Sequence, residues 1–323
     1  MDIFGFFNTL LWPIKWVIEA ILVGFHWFWS SIGLSPTAGL TWVLSIVGLV
    51  LIVRAALIPI FVRQIKSQRK MMEVAPQLKK IQDKYRGKKD QFSREAMQRE
   101  TMELYRKAGT NPFSSCLPLL LQMPIFFSLF SVLNEARNDK AGVGLLSQEL
   151  ADNFRNAELF GIAPLKYSLV DAFNFGNLAV GVIAVVMILI MTASQFYTQL
   201  QIMSKNQTPE MKASPMYRQQ RVLLYILPVV FLFSGLAFPI GVMFYWLTSN
   251  LWTVGQQYLV IRNMPTPGSE AALAREARLA KKNRNKMKDD AEAIADAVDD
   301  TPKTTQRQQP VGKNRSKKKS GSR

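Results

Sequence analysis

The 323-residue chain has one cysteine, Cys116, and one histidine, His26. A single thiol excludes an internal disulfide framework, and so small a stock of His and Cys leaves no cluster at metal-ligand spacing. Acids are scarce as well: 23 Asp and Glu stand against 40 Lys and Arg, a formal net charge of +17. That imbalance points to anionic partners, either lipid or nucleic acid. The chain also lacks a phosphate-cradling glycine loop, a Ser/His/Asp set and a paired-carboxylate arrangement. Nothing in it couples hydrolysis to work, and neither an enzymatic activity nor a cofactor is expected. At the N-terminus Asp2 comes first, and Lys15 and Glu19 interrupt the apolar run, so the pattern of a cleaved secretory signal is missing. The first residue is read as part of the mature chain.

What the chain does have is alternation. Its mean hydropathy of +0.06 would suit a soluble protein, but apolar runs long enough to cross a bilayer core of roughly 30 Å alternate with basic stretches. Spans are expected at residues 36–62, 113–134, 178–198, 222–239 and 240–262, making an all-α membrane protein with a five-helix bundle. Residues 1–35 hold Trp12, Trp16, Trp27 and Trp29 together with Pro13, Lys15 and Glu19. This mixture suits the headgroup layer and predicts an interfacial helix, with a sixth, poor span as the alternative. Between the first two spans, residues 63–112 carry fourteen Lys and Arg against six acids. Met71, Met72, Ala75, Leu78, Ile81 and Tyr85 recur there at helical spacing, Gly87 breaks the pattern, and Phe92, Met97, Leu104 and Tyr105 resume it. A basic helical hairpin is expected.

Charge sets the orientation. Residues 63–112, the loop 199–221 and the tail 263–323 are all basic, whereas the loop 135–177 is slightly acidic. Basic loops stay on the cytoplasmic side. With five spans, the N-terminus and the acidic loop fall outside, and the hairpin and a basic, disordered tail fall inside. The tail contains a helix-prone piece, 269–300, and ends in the cluster Lys313 to Lys319, suited to anionic lipid or to ribosomal RNA phosphates.

Arg54 is the most informative residue. It lies about three helical turns from the basic end of its span, and an arginine at mid-span costs roughly 2.5–3.5 kcal/mol on insertion scales. No acid lies within another span to pair with it, so polar side chains, water or a visiting acidic group must solvate it. Gln122, Gln195, Thr248 and Asn250 are candidate co-liners of a wet cavity, although interhelical hydrogen bonding alone would also explain such residues. Met71, Met72, Met97 and Met102 could offer a pliable surface to varied apolar segments. Ordinary helix packing is the competing reading of the same spacing.

Three motifs then carry a resemblance. They are Arg54 to Pro59 (RAALIP) with Pro76 to Lys79 (PQLK), Asn111 to Phe126 (NPFSSCLPLLLQMPIF), and Tyr245 to Gln257 (YWLTSNLWTVGQQ). Together and in this order they resemble the YidC/Oxa1/Alb3 family of membrane protein insertases, over about residues 11–262. The resemblance implies five helices around a hydrophilic groove containing Arg54 and Gln122, and a last helix whose Tyr245, Trp246 and Asn250 meet clients. It further implies a hairpin that recruits newly made membrane proteins, and action alone or beside the Sec translocon in a bacterial cell membrane. The large external domain of Gram-negative members and the lipoprotein signal of many Gram-positive ones are missing, which suggests an actinobacterial type.

Overall fold

The computed structural model describes residues 3–88, 90–109, 117–138, 140–212 and 215–299. In chain order the elements are α1 (Ile3–Ser31), α2 (Gly39–Glu73), α3 (Ala75–Lys84), α4 (Gln91–Lys107), α5 (Leu117–Arg137) and α6 (Gln148–Asn156). They continue with β1 (Glu158–Leu159), β2 (Ala163–Pro164), α7 (Leu169–Phe175), α8 (Leu178–Lys205), α9 (Pro209–Lys212), α10 (Pro215–Ala237), α11 (Ile240–Asn263) and α12 (Glu270–Asp299). The all-α expectation holds; the strands form only a two-residue antiparallel ribbon.

Each expected span coincides with a helix: α2, α5, α8, α10 and α11. By length and composition, three stretches among the described residues could cross a membrane: Thr9–Ser31, Gly39–Met71 and Leu178–Lys205. Leu224–Ala237 is apolar but shorter. The N-terminal helix is thus apolar and long enough to span, the alternative the sequence left open. On α8 and α10, Val182, Val185, Val186, Leu189, Val222, Ile226, Val229 and Phe233 are exposed. This apolar face at helical spacing suits contact with lipid chains.

Packing is concentrated toward one end of the helices. The core joins Ile18 and Leu22 of α1, Trp42, Ile46 and Leu49 of α2, Leu129 and Leu133 of α5, Val180 and Met187 of α8, and Ile240 and Met243 of α11. These residues come from the first half of α2, α8 and α11 and the second half of α5. Residues 138–177, expected as a loop, form a small folded cap over that end, contributing Leu146, Phe154, Leu165 and Leu169 to the same core. Local signals within the cap are plain in retrospect. Ser147 accepts from the Leu150 N–H, and Ser168 and Asp171 form a reciprocal capping box closed by Gly176 at φ +67°. The cap also receives the start of α11. The first N–H groups of that helix, at Ile240 and Gly241, donate to the carbonyls of Tyr167 (2.9 Å) and Leu165 (3.0 Å). Groups that a helix N-terminus would leave unmet are satisfied there.

Two placements differ from expectation. Lys15 and Glu19 of α1, read as headgroup-layer charges, are 2% and 0% exposed. Lys15 pairs with Glu135 at 2.8 Å. Glu19 accepts from the backbone N–H groups of Val143 (2.9 Å) and Gly144 (2.7 Å). A buried carboxylate requires such partners, and here the cap's backbone supplies them. In the tail, the piece read as helix-prone, 269–300, is helical over Glu270–Asp299. Its alanine, glutamate, lysine and arginine content favours that conformation even without a packed face. Residues 1–275 and 276–323 form separate units. The Lys313–Lys319 cluster lies outside the described residues.

Candidate functional site

Helix α2 runs on past its apolar stretch to Glu73, so Met71 sits at the end of the span helix rather than inside the hairpin. The hairpin proper is α3 and α4. Pro76 stands in the first turn of α3, where its missing N–H costs nothing. Asp90 caps α4 by accepting from the Ser93 N–H at 2.8 Å, and Gly87 turns the chain at φ +86°. The two helices are held by Glu100, which accepts from both Lys84 and Tyr85 Oη. Those bonds, from Lys84 first and Tyr85 second, keep the Glu100 carboxyl below its usual range, and the same pairing raises Lys84. Of the expected recruitment residues, Met102 is exposed and Met71 and Met97 are half-buried. The side chain of Met72 lies outside those described. Phe92, at 84% exposure, is the most open large apolar residue of the hairpin.

Within the bundle, the structure brings together Arg54 on α2, Gln122 on α5, and Tyr245 and Ser249 on α11. The guanidinium of Arg54 donates to Ser249 Oγ. Gln122 Nε2 donates to Tyr245 Oη at 2.6 Å. Tyr245 and Ser249 are one turn apart and both buried, so one face of α11 carries both contacts. The cluster is incompletely satisfied. A guanidinium has five N–H donors, and among the described residues the hydrogen bond of Arg54 is the one to Ser249. Gln122 Oε1 is buried with no hydrogen-bond partner. Such an acceptor costs about 1–3 kcal/mol unless something else reaches it.

The remaining candidates stand elsewhere. Asn250 reaches toward the Met191 carbonyl of α8 at 3.5 Å, at the limit of a hydrogen bond. Thr248 donates to the Phe244 carbonyl of its own helix. Gln195 is half-buried on α8. Trp246 lies in an aromatic cluster, 4.8 Å from Phe231, 5.6 Å from Phe238 and 5.9 Å from Phe126, centroid to centroid. It braces α11 against α5 and α10. Sequence reading missed Ser249, although the signal was available: four residues separate it from Tyr245, whereas Asn250 is turned about 100° around the helix. Asn111 to Cys116, in the second motif, lie outside the described residues.

Beside this polar cluster lies a space less polar than expected. A cavity of about 480 Å³ runs between α2 and α11 from Ile58 and Trp252 to Asn263 and Met264, and its walls are mostly apolar. Ile58 and Phe61 follow Arg54 on the same stripe of α2, four and seven residues on. An isolated charge thus sits at the head of an apolar recess in a set of membrane-length helices, with basic segments at one end and a folded cap at the other.

The profile of the family described as "60Kd inner membrane protein" matches residues 33–267. The chain is 44% identical to the membrane protein insertase YidC of Tropheryma whipplei (strain Twist) over 98% of its own length and 99% of the relative's. It is 36% identical to that of Bifidobacterium longum (strain NCC 2705) over 97% and 96%. Among solved structures, an active YidC insertase with its first transmembrane domain resolved aligns with 78% of this chain and 46% of its own, at 23% identity and a TM-score of 0.45. The chain belongs to the 60Kd inner membrane protein family, the YidC/Oxa1/Alb3 membrane insertases. It is a multi-pass protein of the bacterial cell membrane.

Proposed function

We propose that this protein is a membrane insertase and folding chaperone in which the Arg54 cluster receives the polar, externally destined part of a client. The observation that carries the reading is the incompletely satisfied set of Arg54 and Gln122 among helices of membrane length. Such a set is costly to keep in lipid. A visiting carboxylate or hydrated segment would supply the missing partners. The client's apolar segment then passes between the helices into the bilayer, gaining roughly 25 cal/mol for each Å² of apolar surface removed from water. That gain supplies the work, so neither nucleotide hydrolysis nor a cofactor enters.

In this reading α2, α5, α8, α10 and α11 span the membrane. By the positive-inside rule the hairpin and α12 face the cytoplasm and residues 138–177 face outside. Contacts of α1 support an interfacial position. Lys15 meets Glu135 near the last turn of α5, and His26 meets the Pro36 carbonyl (2.8 Å) and stacks on Trp42 near the first turn of α2. Both of these contacts fall at the capped end, as do those of Glu19 with the cap backbone. Hairpin residues Phe92, Met97 and Met102 make first contact with clients, and basic segments attract anionic lipid and ribosomes. The Sec translocon is an alternative route of delivery.

The test is protease protection of a short-tailed, single-span client in liposomes that contain only this protein. The native chain is expected to insert the client and Arg54→Ala to lose most of that activity while remaining folded, with Arg54→Lys intermediate. Equal insertion by Arg54→Ala would remove Arg54 from the mechanism. Insertion that appears only when Sec is added would make the protein a Sec-dependent assembly scaffold.

A further inference from the structure

The apolar cavity between α2 and α11 adjoins a second space. Ile65, Val260 and Met264 wall both this cavity and a second compartment of about 100 Å³ and mixed polarity. Arg69 lines that compartment together with Asn206, Gln207, Gln257 and Thr266. Arg69 Nε is buried and has no hydrogen-bond partner. Asn206 Oδ1 accepts from the Thr266 N–H at 2.9 Å, which leaves its NH₂ group to donate. An apolar chamber of about 480 Å³ thus adjoins a small chamber of mixed polarity, with a cationic side chain one turn beyond the shared wall.

We propose that these two chambers form a binding site for a single anionic phospholipid, its acyl chain between α2 and α11 and its phosphate against Arg69. Size decides against a polypeptide helix. A helix with side chains is about 10 Å across, and a cylinder of that width holding the cavity's volume would be roughly 6 Å long, little more than one turn. An extended hydrocarbon chain is far thinner and can fill such a space along its length. Depth agrees as well. Counted from Gly39, about 20 residues of α2 cross the hydrocarbon core, so Ile58 to Ile65 lie where core gives way to headgroups, with Arg69 beyond. Arg63, Lys66 and Lys70 on α2 and Arg262 on α11 add positive charge at the same depth, which favours an anionic over a zwitterionic headgroup. Gln257 adds an amide group beside the phosphate position. The proposal depends on the membrane placement of these helices but not on insertase activity.

The experiment is native mass spectrometry of the full chain, equilibrated in detergent with phosphatidylglycerol and phosphatidylcholine of matched acyl chains. One phosphatidylglycerol is expected to persist at activation energies that strip phosphatidylcholine. Arg69→Gln should weaken its retention roughly tenfold, the scale of a lost charged hydrogen bond. Leu259→Trp, which fills the apolar chamber, should reduce retention while leaving Arg69 in place, and circular dichroism should show both variants helical. Equal retention of the two lipids, or native-like retention by Arg69→Gln, would overturn the proposal. Displacement by inorganic phosphate alone would reduce it to a headgroup-only anion site and also overturn it. A photoreactive residue at position 65 that captures client polypeptide rather than lipid would assign the recess to the client instead.

Discussion

The two ends of the helical bundle solve the same problem in opposite ways. At the end covered by residues 138–177, charge is buried deeply and answered fully. Glu19 is 0% exposed, yet it accepts backbone N–H groups from Val143 and Gly144, while Lys15 is paired with Glu135, which Ser131 also supports at 2.9 Å. Gly142 and Gly144 make the fit possible, since a Cβ at Gly142 would stand 2.4 Å from the Glu19 carboxylate and one at Gly144 would stand 2.6 Å from the Trp16 ring. Toward the hairpin end, among the described residues, Arg54 has one hydrogen-bond partner, Gln122 Oε1 and Arg69 Nε have none, and a recess opens between α2 and α11. The proposed mechanism, in which one side stays sealed while chains enter from the other, would use this asymmetry. In that mechanism satisfied charge would hold the capped end closed, and the open groups of Arg54 and Gln122 would receive the client.

The comparison is broken most severely by removing the charge from the sealed end. Glu19→Ala leaves the Val143 and Gly144 N–H groups without their acceptor, at a cost of about 1–3 kcal/mol for each buried donor left unsatisfied. The expected readout is a clear fall in the unfolding midpoint in detergent, with faster proteolysis within residues 138–147. An unchanged midpoint and protease pattern would show that the carboxylate does not hold the cap. Gly142→Ala tests the same contact sterically. Its added methyl must displace Glu19 or the loop, for about 1–3 kcal/mol by analogy with overpacked cores, and Glu19→Ala combined with it should be less than additive. Additive losses would mean that the glycine serves the turn and not the carboxylate.

The smallest effect is expected at the hairpin, where the ion pair is exposed. Glu100 is depressed below its unfolded range, so its contribution is present above that range and is lost as pH falls through the folded value. Lys84 is raised, so its share is present below its unfolded value and is lost as pH climbs through the folded one. The pairing of α3 with α4 is therefore strongest at neutral pH and weakens toward both extremes. Carbon-13 titration of the Glu100 carboxyl should give a midpoint below that of a free glutamate, and Lys84→Gln should return it upward. A midpoint already at the free value would show that the bond does not persist in solution.

Legibility followed the range of the interactions. Helices and their order were readable because apolar length and periodicity are local properties. Arg54 was readable because a charge within an apolar run is conspicuous whatever surrounds it. Its partner was not: choosing Ser249 over Asn250 and Trp246 depends on the rotation of α11 about its axis, which packing against α5, α8 and α10 sets. Lys15 and Glu19 were visible as residues and misread in place, because their partners lie more than a hundred residues away at Glu135 and in the 143–144 backbone. The cap was taken for a loop because its helices are short and its core is shared with the bundle. It gains little burial alone, and its hydrophobic pattern makes sense only once Leu146, Phe154 and Leu165 meet the helix ends.

By itself the sequence determined the all-helical class, the position of each long helix, the basic and acidic segments and the arginine isolated within an apolar run. Hydropathy, periodicity and charge act over one or two helical turns and need no partner to be recognised. Only the tertiary structure decided which charges are answered and which are left open. That distinction rests on side chains and backbone N–H groups far apart in the chain meeting within hydrogen-bond distance, and no local pattern encodes it.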